Sequence, residues 1–97
     1  VASRTPGTSS KATFYYGALN GAQNVGDGTG GQLLEVSATN EGGAVAYVTV
    51  ADANRTHRKV AVPATGNWEW RPIDGVQFDG QLTVTTTAAL DVSVRIA

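Results

Sequence analysis

At 97 residues the chain makes one domain, and a domain of this size buries only about 60–70% of the surface that its unfolded form exposes. Twelve Gly, 15% charged residues and no Cys or Met describe a turn-rich β chain, exclude disulfides and thiolate sites, and leave a single His that cannot support a structural zinc site. The net charge of −1 supplies no field toward nucleic acid or an anionic membrane, and no apolar run approaches the ~20 residues of a transmembrane helix.

Residues 1–11, V-A-S-R-T-P-G-T-S-S-K, carry no apolar period and read as a flexible N-terminal arm; residues 12–97 form the domain. The chain begins at Val1 rather than Met, which fits initiator removal, processing or trimming. Ala12 to Ala18 follows as a first strand with Phe14, Tyr16 and Ala18 on one face. Leu19 to Gly31 is expected to be a Gly-rich loop; no Lys follows in Walker spacing, so a phosphate cradle is not its reading.

Gln32 to Thr39 and Ala44 to Ala51 flank Asn40-Glu41-Gly42-Gly43, residue types that supply positive φ, and together they predict a hairpin. Its second strand is apolar on both faces, with Ala44, Ala46, Val48 and Val50 against Val45, Tyr47 and Thr49. Such a strand sits centrally or sets its outer face against a partner. Asp52 to His57 reads as a polar loop and Arg58 to Val62 as a strand. Trp68-Glu69-Trp70 places both indoles on one face. The C-terminal run predicts two neighbouring strands. Leu82, Val84 and Thr86 share one face of the first against Thr83, Thr85 and Thr87, and Leu90, Val92, Val94 and Ile96 share one face of the second against Asp91, Ser93 and Arg95.

Seven or eight short strands without a helical period predict an all-β fold, a small antiparallel β-sandwich of jelly-roll type. A small β domain with no covalent staple is also expected to gain stability from another chain, as a homo-oligomer or within a larger assembly.

The candidate sites are sparse. His57, in T-H-R-K, has no acid partner at motif spacing and reads as a surface-loop histidine, so no catalytic residues and no cofactor are expected. Asp52 and Asn54 resemble the start of a calcium loop but lack its glycine and glutamate; Asp27, Asp74 and Asp79 could gather on a cation only weakly, and no metal site is expected. Arg55, Arg58 and Lys59 form the basic cluster, suited to a solvated edge or to an acidic protein surface. Asn54-Arg55-Thr56 also fits a glycosylation sequon, a pattern short enough to arise by chance. Trp68 and Trp70 could stack on sugars, anchor an interface or plug the end of the core, and the scarcity of other large residues favours the core.

The segments L-L-E-V-S-A-T-N at Leu33 to Asn40, A-Y-V-T-V-A-D at Ala46 to Asp52, K-V-A-V-P at Lys59 to Pro63 and G-V-Q-F-D-G-Q-L-T-V-T-T-T at Gly75 to Thr87 resemble small β-sandwich structural proteins of tailed bacteriophages. The resemblance spans Gln32 to Ala97 and is one of pattern. It implies a head decoration or cement protein on the capsid exterior of the virion, non-enzymatic, partnered by the major capsid protein and by itself as a trimer. The expected contact residues are Arg4 and Lys11 of the arm, Val45 and Tyr47, and Arg55, Arg58 and Lys59. The alternative is a carbohydrate-binding or host-attachment module of a tail or fibre using Trp68 and Trp70.

Overall fold

A computed structural model describes residues 12–97; the expected arm, with Arg4 and Lys11, lies outside the described residues. The described chain is all antiparallel β. Its strands are β1 (Ala12–Val25), β2 (Gly31–Thr39), β3 (Ala46–Ala51), β4 (Thr56–Val62), β5 (Asn67–Trp70), β6 (Val76–Phe78) and β7 (Leu82–Ile96).

β7 organises the fold. Leu82, Val84, Thr86, Leu90, Val92, Val94 and Ile96 are buried, while Thr83, Thr85, Asp91, Ser93 and Arg95 alternate with them on the other face. Each fully buried Val, Leu or Ile contributes about 1.5–3 kcal/mol, so this one strand carries a large share of the core. β1 follows β7 from Ala12↔Ile96 to Val25↔Leu82. β2 pairs with the last part of β7, Leu33↔Ile96 to Thr39↔Asp91, and β3 with the first part, Val48↔Thr86 to Ala51↔Thr83. β4 adds to β3, and β5 and β6 add to β2.

A straight strand of this length would run about 50 Å. Here its two ends meet. Gly30 N–H donates to Gly80 O just before β7 begins, Leu33 pairs with Ile96 where it finishes, and a Cβ on Gly26 would lie 3.3 Å from Ile96 Cδ1. The β1/β7 ribbon is therefore bent at a corner, and one continuous sheet folds over itself into two layers, nearly closed like a barrel. One layer holds β3, β4 and the first part of β7; the other holds β2, β5, β6 and the last part. Their inner faces share a core of Val25, Leu33, Val36, Val48, Val50, Val62, Phe78 and the apolar residues of β7.

At the corner β1 is irregular between Tyr16 and Gly21. Side chains of β7 make hydrogen bonds where the ladder breaks. Asp91 Oδ1 accepts from Ala18 N–H at 2.9 Å, the buried Thr86 hydroxyl donates to Leu19 O at 2.7 Å, and its oxygen accepts from Gly21 N–H at 3.2 Å. Gly21 takes φ 110° without strain, but Ala18 sits at φ 51°, where Cβ crowds the backbone. Ala18→Gly is accordingly expected to stabilise the domain by about 0.5–1 kcal/mol and raise Tm by a few degrees, read by calorimetry.

Several sequence expectations need correction. The C-terminal run is one strand rather than two, because Thr87–Ala89 forms the corner and not a turn. Leu19 to Val25, expected as loop, continues β1 because β7 offers it a partner along its whole length; only residues 26–30 form the Gly-rich connection. The predicted hairpin is also absent. β2 and β3 each pair antiparallel with a different part of β7 and not with each other, and residues 40–45 carry the chain between layers. The expectation of a central β3 holds, since it lies between β4 and β7.

Candidate functional site

The two layers are joined by hydrogen bonds through the β1/β7 ribbon and separate on the opposite side, where β4 faces β5 and β6. A cleft of about 340 Å³ opens there, lined by Arg55, Thr56, His57, Arg58, Trp70 and Val76. It exists because two strand edges approach without pairing.

The wall on the β4 side is built by a turn and a bulge. Asp52 begins the turn. Its N–H donates to Arg55 O at 2.9 Å, and its Oδ1 accepts from the N–H groups of Asn54 at 2.8 Å and Arg55 at 2.9 Å. Its Oδ2 accepts from Asp79 N–H at 3.0 Å and lies 2.8 Å from His57 Nε2. Burial works against the Asp52 charge, but these hydrogen bonds outweigh it and hold the carboxyl well below the usual carboxylate range. The register of β4 on β3 slips between Val50↔Arg58 and Ala51↔Thr56, so His57 is the additional residue of a β-bulge. The bulge encloses the imidazole, whose side chain is 4% exposed, against an Asp52 side chain that is 1% exposed.

His57 is thus not the surface-loop histidine expected from its spacing. It lies on β4 and has an acid partner, one that the turn delivers rather than a motif. Both Asp52 oxygens are engaged by protein donors. Asp79 Oδ2 accepts from Asn54 Nδ2 at 3.0 Å. Among the described residues no group of three or more His, Asp or Glu is placed to hold a metal ion, so Asp27, Asp74 and Asp79 are not brought together.

The opposite wall is β5. Trp68 and Trp70 pair with Ala38 and Val36 of β2 and pack, half-buried, against the core. Arg58 reaches across the opening and places its guanidinium carbon 4.8 Å from the Trp70 ring centre, which makes this contact the latch between the layers. Arg55 Nη2 lies 3.5 Å from Gln77 O on β6. Neither guanidinium forms an ion pair with a described residue, whereas Arg71, on the outer face, meets Glu35 at 2.8 Å and Glu69 at 3.4 Å.

The remaining candidate residues lie elsewhere. Val45 and Tyr47 are 50% and 45% exposed; Tyr47 stands on the outer face of β3 opposite Ala61, beside Thr49 and its partner Lys59. The structure therefore places Arg55, Arg58 and Trp70 together in the cleft and sets Tyr47 and Lys59 on a separate sheet face. Sequence reasoning missed the union of the basic cluster with Trp70. The signal available was Arg58 occupying the inward phase of a strand whose next inward residues are Val60 and Val62.

No family model matches the chain, and no curated protein matches it. Among solved structures it is similar to one described as the crystal structure of PirA, with a TM-score of 0.52, 14% sequence identity, and coverage of 92% of this chain and 94% of that chain. At that identity the likeness concerns the fold alone.

Proposed function

We propose that the protein is a non-enzymatic virion structural protein, a decoration or cement protein that binds the outer surface of an assembled phage head and self-associates as a trimer. The observation that carries this reading is the outer face of β3, a central strand whose core side is complete and which nonetheless exposes Tyr47, with Val45 just before it. Folding has no use for an exposed tyrosine there, and two exposed apolar side chains on a sheet face suit contact with a second protein. The resemblance of the segments from Leu33 to Thr87 to phage β-sandwich proteins supplies the class of partner. A repeated shell would add avidity to a modest single contact. The glycan alternative is less favoured, because both indoles face the core and Arg58 covers Trp70.

Quantitative mass spectrometry of purified particles from the source culture is the direct test. A copy number in fixed, high ratio to the major shell protein supports decoration, a handful per particle moves the protein to a tail or fibre, and complete absence overturns the reading. Tyr47→Glu is expected to leave the fold intact while lowering particle occupancy by about tenfold or more, the loss typical of a central interface aromatic.

A further inference from the structure

We infer that the cleft between β4 and β5/β6 is a carboxylate clamp, and that its ligand is an acidic segment of a partner protein, engaged through the guanidinium groups of Arg55 and Arg58. This deepens the assembly reading by naming the chemistry of one contact.

The argument starts from charge satisfaction. Of the arginines described above, Arg71 is neutralised by two glutamates, while Arg55 and Arg58 line the same opening without a carboxylate partner among the described residues. The nearby carboxylates of Asp52 and Asp79 are already engaged by protein donors, Asp52 by its turn and His57, Asp79 by Asn54. Arg58 is also held in place. Its guanidinium lies over the Trp70 ring, which restricts a long side chain before any ligand arrives and leaves its N–H edges for an incoming acceptor. The backbone that carries Arg55 is held, because its N–H is bound by Asp52 and the turn is tied to Asp79, and its Nη2 lies 3.5 Å from Gln77 O. Two planar donors that both rise from the β4 wall and reach toward β5 and β6 across a cleft of about 340 Å³ suit the forked acceptor of a carboxylate.

The same geometry favours a peptide over a sugar. The Trp70 face that a pyranose ring would need is occupied by Arg58, so the cleft grips charge and does not offer a stacking surface. A glutamate or aspartate side chain needs only the anion site and room for its stem, and Val76 supplies an apolar wall for that stem.

The test is a titration of the full chain with a capped hexapeptide of alternating glutamate and glycine, followed by NMR at the Trp70 indole N–H and the Arg58 Nε–H. Saturable shifts at both, weakened by added salt and missing with the glutamine–glycine peptide, are expected. Arg55→Gln and Arg58→Gln should each weaken binding by roughly tenfold or more, Arg58→Lys should recover only part of the loss, and Lys59→Gln should change little. Backbone spectra of each variant report whether the fold is kept, and Arg55→Gln leaves the Arg58–Trp70 contact untouched. Absence of saturable binding overturns the clamp, as does binding by both arginine variants as tight as that of the wild type. Binding of oligogalacturonate in preference to the peptide overturns the choice of ligand. Because the peptide is a free probe, failure here is separate from the copy number measured on particles.

Discussion

Asp52→Ala is expected to destabilise the domain by about 3 kcal/mol, the scale found when a carboxylate that accepts several hydrogen bonds is removed. The carboxylate anchors the Asn54 and Arg55 amides, the Asp79 amide and the His57 ring, so its loss removes the acceptor that organises all four and frees the turn between β3 and β4 from the connection that leads into β7. Chemical denaturation should show a lower midpoint with little change in m, because the exposed area of the unfolded chain is unchanged. The pH dependence has a definite sign. The folded-state pKa of Asp52 is depressed below its unfolded value of about 3.9. The stability it contributes is therefore fully present above that unfolded value and is lost as pH falls toward the folded one. Circular dichroism from pH 6 down to pH 2, in steps of about 0.5, should show wild-type stability falling at the acid end, with a shallower fall in Asp52→Ala, which has no such proton to take up. Equal acid profiles for the two proteins would remove Asp52 from the account.

What was legible in the sequence follows from how local each signal is. Alternation on β7 was readable because burial on a pleated strand obeys a period of two. The residues expected to share a face, Leu82, Val84 and Thr86 and then Leu90, Val92, Val94 and Ile96, are all buried. The corner was misread as a strand break because Ala88-Ala89 interrupts that period just as a turn would, and only the partner strand β1, bulging at Ala18 and Gly21, shows that the chain continues. Pairing was harder still. Asn40 to Gly43 carries turn chemistry, but turn chemistry does not specify which strands it joins, and the long apolar β7 outcompetes the local hairpin by offering both β2 and β3 a partner. At the cleft, each wall could be named from the sequence, but their meeting depends on the sheet folding over. Arg58 and Trp70 are on strands that never pair.

Asn40→Ala tests that corrected topology, with an expected destabilisation of about 2–3 kcal/mol. As a turn residue in a simple hairpin, Asn40 would be exposed and its replacement nearly neutral. Instead it is 1% exposed. Its Nδ2 donates to Ala44 O at 2.8 Å and Val62 O at 3.2 Å, and its Oδ1 accepts from Gly42 N–H at 2.9 Å. Its own N–H donates to Gly66 O at 2.8 Å, and Thr65 N–H donates to Gly42 O at 3.1 Å. One side chain thus satisfies the backbone of the 40–45 crossover and ties it to the end of β4, where the next connection begins. Alanine leaves two carbonyls and an amide to find other partners and removes the volume that filled the site. Asn40→Asp separates the two ideas further. It keeps the acceptor for Gly42 but turns donors to Ala44 and Val62 into a carboxylate facing carbonyl oxygens, so it should be at least as damaging as alanine. Aspartate is as good as asparagine at the start of an exposed turn, so a hairpin would tolerate it. Thermal and denaturant midpoints for both variants decide the matter. Loss in both supports the interlayer crossover, and a neutral Asn40→Asp would restore the hairpin.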